Sequence, residues 1–432
     1  MVFGLKLEAL VLTNNAPETV VLINEVLANN ATLSDADGRR AGWIELYNPS
    51  TATVALGGMS LSDDLTNPTR WVFPAGLLLP ARAYLKVGFD SNQPSSSSNT
   101  GFDLKVNGSA VYLFNRPGEG GALKSPVNYG VQAADWSIGR VPDGSTNWVL
   151  TRPTPALGNI AASLGDPQAL KINEWMADPL FGSDWFEVYN PNPAPVDLSG
   201  LHLSDNVSDP LKHVLPPLSF VGNAAYAFQK FEADESLEAG ADHVSFKLSA
   251  SGESLVLSTA NGVLIDGISF GPQMTGISQG RLPDGGRTVV AFSRSASPGS
   301  SNYLPFVDND GDGLADGWET ANGLNPNDRA DALADNDGDG FANLYEYLAG
   351  TNPRDEFDYL SLLAERSALA VAIRFQTVPG RSYTVEFSDD LRLGSWRTLA
   401  TLPSTSVLST AQVNDPISGP SRFYRLRVSW NR

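Results

Sequence analysis

Apolar and polar positions alternate along this chain in short runs with a period of two. In residues 185–189, Trp185, Glu187 and Tyr189 fall on one face of a strand and Phe186 and Val188 on the other; Pro191 and Pro193 close the run because proline cannot donate to a ladder. The idiom continues at 255–257, 263–265 and 268–270, with turns predicted at Asn261-Gly262 and Asp266-Gly267. Many such strands, spaced by about 8 to 12 residues with Gly and Pro between them, predict antiparallel sandwiches. A last set at 370–375, 382–387, 396–399 and 423–428 alternates in the same way, with turns at Pro379-Gly380 and Gly419-Pro420. Neither half of residues 20–302 sustains a helical period of 3.6 for three turns.

The runs also repeat. Leu22 to Leu27 (LINEVL) is echoed by Lys171 to Met176 (KINEWM), and Trp43 to Pro49 (WIELYNP) by Trp185 to Pro191 (WFEVYNP). Met59 to Asp64 (MSLSDD) matches Leu201 to Asn206 (LHLSDN), and Gly139 to Gly144 (GRVPDG) matches Gly280 to Gly285 (GRLPDG). The offsets are 149, 142, 142 and 141, so the chain holds two tandem copies of one domain, with about seven extra residues at 33–40 of the first.

These four ordered motifs, with the Leu-Ser-Gly-x-x-Leu-Ser-Asp turn at 198–205 and its looser form at 56–63, resemble the lamin tail domain over about residues 20–160 and 168–302. The resemblance implies two immunoglobulin-like β-sandwiches. It also implies accessory modules of exported or surface bacterial proteins, and it brings no shared catalytic residues.

Residues 308–346 carry a different signal. Asp308, Asp310, Asp312, Asp316 and Glu319 stand at positions 1, 3, 5, 9 and 12 of a loop with Gly313 at position 6; Asp335, Asp337, Asp339, Asn343 and Glu346 repeat the set around Gly340. This is the spacing of a twelve-residue calcium loop: alternate oxygen side chains converge as the chain wraps, and Gly permits the sharp turn. The carbonyls of Leu314 and Phe341 at position 7 add one oxygen each, and the last Glu can bind through both oxygens. Asp308, Glu319, Gly323, Pro326 and Asp328 recur 27 residues on at Asp335, Glu346, Gly350, Pro353 and Asp355, which predicts a short helix after each loop, ended by Gly. Residues 303–307 are too short and too Pro-broken for an entering EF-hand helix. The unit resembles bacterial thrombospondin type 3 repeats or a dockerin, and the Gly-x-Asn-Pro spacer favours the first. The C-terminal strands, with their Phe-Tyr-Arg-x-Arg-Val ending, resemble fibronectin-type-III-like modules; Trp396 and Trp430 are expected to pack rather than to form a sugar platform.

Composition narrows the function. The chain has 432 residues, no Cys, three His and a formal charge of −19. Disulfides, thiolate nucleophiles, zinc ribbons and iron–sulfur clusters are excluded, and binding to nucleic acid through phosphate neutralisation is opposed. The eleven acidic residues and one basic residue of 308–346 account for −10 of the charge, so the acidity is mostly local to the loops. No run approaches the roughly 18 apolar residues of a membrane helix. Lys6 and Glu8 interrupt the place where a signal peptide would carry its apolar core, so an export signal is expected upstream.

Catalytic signatures are sparse. His202, His213 and His243 lack metal-ligand spacing, and no nucleophile elbow or phosphate-binding Gly loop occurs. Glu25 with Glu45, and Glu174 with Glu187, are the carboxylate pairs a glycosidase would need; their recurrence in both copies fits a framework that bonds backbone or Asn side chains. Four domains are expected, at 1–163 (with an N-terminal extension), 164–303, 304–357 and 358–432. The expected function is that of a non-catalytic adhesion or presentation segment of an exported bacterial protein. It binds calcium (Ca2+), resides outside the cell or on its surface, and is a monomer. Its partner is an extracellular protein or polysaccharide, and it has no integral membrane segment. The alternative is an accessory, polymer-binding region of an extracellular hydrolase whose catalytic domain lies upstream; a coplanar row of exposed Trp and Tyr on one sandwich face would favour it.

Overall fold

The computed structural model describes residues 21–35, 38–293, 295–304, 306–367, 370–378, 380–392, 394–404, 409–416 and 421–430, with the Trp430 side chain left aside. The N-terminal extension expected before residue 21, and the turn residues Pro379, Gly419 and Pro420, lie outside them. The chain gathers into two compact units, Met1–Asn128 with Asp135–Ala162, and Tyr129–Ala134 with Ser163–Arg432. Among the described residues no helix is long and apolar enough to cross a membrane. The architecture is mainly β, built of antiparallel sheets in immunoglobulin-like sandwiches.

In the first unit a six-stranded sheet has Leu22–Leu27 at its centre, between Gly42–Tyr47 and Ser137–Arg140. A four-stranded sheet built around Ser60–Ser62 and Ser109–Phe114 accompanies it. The register places Glu25 opposite both Glu45 and Gly139, so three of the four repeated motifs are neighbouring strands. The second unit repeats this pairing with Glu174 opposite Glu187 and Gly280, in the order Phe228–Ala233, Asp184–Tyr189, Lys171–Met176, Ser278–Arg281, Val289–Phe292.

Strand 184–189 is buried on both faces, although alternation would leave one face wet. Phe186 and Val188 enter the apolar core with Ile172, Trp175, Phe231, Phe246 and Leu257, each fully buried aromatic or aliphatic side chain contributing about 1.5–3 kcal/mol. Val131, from the short 129–134 stretch, is buried in the same core, and the Phe220 amide donates to the Val131 carbonyl at 2.8 Å. The turn expected at Asp266-Gly267 does not form: Leu264–Phe270 runs straight through it, pairing with Glu253–Ser258. Asp266 is held as a strand residue because its carboxylate is taken by the Arg281 guanidinium at 3.0 Å and the Ile172 amide at 2.9 Å. The turn at Asn261-Gly262 does form, with Gly262 at φ 75°.

After the second sandwich come two short helices, α1 (Asp316–Ala321) and α2 (Asn343–Ala349), packed over Leu314, Ala315, Trp318, Ala332 and Tyr347. The helix α2 is stopped by Gly350 at φ 80°. Two three-stranded sheets complete the unit, centred on Ala370–Thr377 and Arg381–Ser388, with Ile373, Phe375, Tyr383 and Val385 between them. Trp396 is half-buried under the Arg425 guanidinium, 4.3 Å from its ring.

Candidate metal centre

In the first loop the aspartates wind the chain by accepting from backbone amides, Asp308 through both oxygens and Asp310 and Asp312 through one each. Asp308 accepts from the amides of Gly311 (2.6 Å), Asp312 (3.2 Å) and Gly313 (3.1 Å). Asp310 accepts from the Asp312 amide at 3.2 Å, and Asp312 from the Leu314 amide at 2.8 Å. The second loop repeats the pattern, Asp335 accepting from Gly338 and Gly340, Asp337 from Asp339, and Asp339 from Phe341. Gly313 and Gly340 sit at φ 100° and 96°, a region closed to most side chains, which is why position 6 of each loop needs glycine.

The remaining oxygens converge without donors. Asp310 Oδ2, Asp312 Oδ2, Asp337 Oδ2, Asp339 Oδ2 and both carboxylate oxygens of Glu319 and Glu346 are buried with no hydrogen-bond partner. Ligand oxygens of Asp308, Asp310 and Asp312 lie within 4.8 Å of one another, as do those of Asp335, Asp337 and Asp339. A third such group joins Asp312 and Glu319 to Asp331, which the twelve-residue spacing did not nominate. Asp331 Oδ2 accepts from the Asn325 amide at 2.8 Å while Oδ1 is buried without a donor. Asp358, 27 residues on, accepts from the Asn352 amide at 3.2 Å in the same manner. That offset was the signal that could have exposed both residues.

Position 9 also braces the loops. Asp316 Oδ1 accepts from the Asn309 amide at 2.8 Å, bracing the loop. Asn343 donates through Nδ2 to the Asp331 carbonyl at 2.7 Å, and its Oδ1 is buried without a donor. Leu314 is buried in the small apolar core, whereas Phe341 is 42 % exposed and stacks on Tyr359.

Electrostatics points the same way. Burial, then the carboxylates of Asp312, Asp310 and Asp331, push Glu319 up to about 7; burial, then Asp337, Asp339 and Asp335, push Glu346 up to about 8. Buried carboxylate oxygens with no donor are costly unless a cation satisfies them. An all-oxygen set without His or Cys suits calcium, which takes six to eight oxygens in flexible geometry, better than zinc.

The sandwiches hold buried carboxylates of the opposite kind. Glu25 accepts from Ser137 Oγ (2.6 Å), the Thr154 amide (3.1 Å) and Thr154 Oγ1; Glu174 accepts from Ser278 Oγ, the Ser297 amide (3.1 Å) and Ser297 Oγ. Glu187 accepts from Asn173 Nδ2 (2.8 Å) and the Gly299 amide (2.8 Å), one on each oxygen. Glu45 accepts from the Ala156 amide (2.5 Å) on one oxygen, while its Oε1 is buried without a donor; Ala156 and Gly299 are both at positive φ (64° and 80°). The Asn159 and Asn302 side chains donate to the carbonyls of Arg140 and Arg281, and their backbone amides donate to Asp143 and Asp284, whose carboxylates also accept from the side chains of Asn24 and Asn173. Residues 154–159 and 297–302 are thus straps tied over the polar face of each central strand pair, which accounts for its two-sided burial. The straps were missed in the sequence; an offset of 143 between Thr154 and Ser297 marks them. The four nominated glutamates are fully buried within this network. Burial pushes Glu25 up to about 7 and Glu45 up to about 8, and holds Glu187 well above the usual carboxylate range.

The histidines lie elsewhere in the second sandwich. His243 Nδ1 is 2.9 Å from Asp234, His213 Nδ1 accepts from the Ser245 amide at 3.3 Å, and His202 pairs in a strand with Val214 and Ser258.

The family model of the Lamin Tail Domain matches residues 14–128 and 165–272. Neither a curated protein nor a solved structure matches the chain.

Proposed function

The chain belongs to the lamin tail domain family, and on that premise we propose that it is a non-catalytic, calcium-binding segment of an exported bacterial protein, serving adhesion or presentation at the cell surface. The observation that carries the calcium reading is the pair of buried, donor-less glutamates, Glu319 and Glu346, each closing a loop of converging aspartates. The likeness of these loops to bacterial thrombospondin type 3 repeats supports export, because extracellular calcium of about millimolar concentration fills sites of modest affinity.

Calcium in this reading is a structural pin. Arg381 of the C-terminal sheets donates to the Tyr347 carbonyl at 2.9 Å and the Leu348 carbonyl at 3.2 Å, at the end of the helix that bears Glu346. Arg354 donates to the Asn322 carbonyl just past α1 at 2.6 Å. Ordering the two loops therefore orders the seat of the C-terminal sheets, and a stiff series of modules presents its surfaces to an extracellular protein or polysaccharide.

The reading as accessory region of a hydrolase draws no comparable support. Trp43, Trp71, Trp175, Trp185 and Trp318 are buried, and Trp136, Trp148 and Trp396 are half-buried, so the described tryptophans form no exposed row. The test is calorimetric titration of the full chain with calcium, followed by limited proteolysis. Binding of two ions with protection of residues 308–353 is expected; no heat and an unchanged digest would overturn the proposal.

A further inference from the structure

Resting on the calcium reading above, we infer that the two sites are unequal and coupled. The first is closed by Asp331 from outside its loop and fills first, and the link from Asp331 to Asn343 transmits that event to the second.

The inequality follows from the ligand sets. Around the first site, Asp308, Asp310 and Asp312 converge, and Asp312 converges again with Glu319 and Asp331. Five carboxylates face one region, and among them Glu319 is 0 % exposed with both oxygens lacking a donor. Asp331 is poised by its other oxygen, which accepts from the Asn325 amide at 2.8 Å. At the second site the carboxylates within 4.8 Å of one another among the described residues are Asp335, Asp337 and Asp339; Glu346 faces them, and Asp358 faces Glu346, without either joining that close group, and position 9 is the neutral Asn343. Asp358 repeats the backbone bond of Asp331 but does not join that group. Affinity in an oxygen-ligand site rises with ligand charge and rigidity, so the first site is the tighter.

The coupling follows from one hydrogen bond. The Asp331 carbonyl accepts from Asn343 Nδ2 at 2.7 Å, which orients Asn343 and leaves its Oδ1 buried without a donor. A cation that pins the Asp331 carboxylate also pins the carbonyl on which the Asn343 orientation depends. Filling the first site thus prepays the ordering of a ligand of the second, and by linkage the second stabilises the first by the same factor.

The experiment titrates the full chain with calcium, in calorimetry with chelator competition, alongside the variants Asp331→Asn, Asp310→Asn and Asp337→Asn. The unmodified chain is expected to bind two ions in two steps separated by at least about tenfold in affinity. Asp331→Asn should weaken the first step at least about tenfold and also weaken the second, with the near-ultraviolet circular dichroism of the sandwiches unchanged. In Asp337→Asn the surviving ion should bind close to the tighter step. In Asp310→Asn the surviving site should be weaker than the second step of the unmodified chain. Two equal, independent steps, or an Asp331→Asn titration that superimposes on the original, would overturn the inference while leaving the calcium reading intact. An unmodified chain that binds no calcium would instead overturn the calcium reading, before any variant is compared.

Discussion

Glu174 and Glu319 are both completely buried carboxylates of one compact unit, and they are buried for opposite reasons. Glu174 receives a serine hydroxyl from a neighbouring strand and an amide and hydroxyl from the strap at 297–302, so its surroundings complete it. Glu319 receives no donor from the protein and faces other carboxylates. The first pattern is that of a finished framework, and the second is one that the proposed cation would complete. The identity of the residue does not tell them apart; the supply of N–H and O–H groups does.

Deleting a carboxylate should therefore have opposite consequences in the two regions. Glu174→Ala strands the Ser297 amide and two hydroxyls in a dry place, and denaturant unfolding should show a loss of about 3–5 kcal/mol. Glu319→Ala, measured in chelator, should leave stability unchanged or raise it, because it removes repulsion. Equal losses in both variants would break the comparison.

Next in size is the effect of calcium itself. At a calcium concentration of 100 times the dissociation constant, each site should add about 2.7 kcal/mol to the unit that contains it. Glu319→Gln should remove one ion's worth and weaken binding by more than the roughly 10- to 100-fold that loss of an outer-sphere partner costs. Unfolding curves of the first sandwich, Met1–Asn128 with Asp135–Ala162, should not respond to calcium.

Smaller, and confined to the framework, is Val131→Ala. It trims a side chain buried in the second core, and the second unit should lose about 1–2 kcal/mol while calcium binding is retained.

The last contrast is in pH. Glu25 and Glu45 are raised in the folded chain from 4.5 to about 7 and about 8. Between about pH 4.5 and 8 the native state therefore holds more protons than the unfolded chain, so this contribution to stability is present at low pH and is lost as pH rises through that window. Unfolding of the first sandwich at pH 5 and pH 8.5 should show the decline, and Glu45→Gln should flatten it.

The two regions also differed in how far the sequence revealed them. The motifs Ile-Asn-Glu, Trp-x-Glu-x-Tyr-Asn-Pro and Gly-Arg-x-Pro-Asp-Gly were legible because each holds adjacent residues, and their register, Glu25 against Glu45 and Gly139, explains why they recur together. Their partners were hidden. Thr154 and Asn159 sit in a Pro- and Gly-containing stretch that reads as a loop, and nothing local says that such a loop is tied across a sheet to a glutamate 129 residues away. The acidic loops announced themselves through fixed spacing, yet Asp331 lies outside the spacing and is recruited only when the chain folds back on Asp312 and Glu319. Asp266-Gly267 shows the reverse failure: a turn dipeptide was overridden by the Arg281 ion pair and by strand pairing that continues on both sides of it, with a bulge beside Asp266.

The central claim is that the donor-less carboxylates of 308–346 are completed by calcium, while Glu25, Glu174 and Glu187 of the sandwiches are already completed by protein donors. Hydrogen exchange of the full chain, followed by mass spectrometry in millimolar calcium and in chelator, tests it most directly. Peptides spanning 308–355 should gain protection in calcium, and peptides covering the straps at 154–159 and 297–302 should exchange identically in both conditions. Loops that exchange alike with and without calcium would contradict the claim.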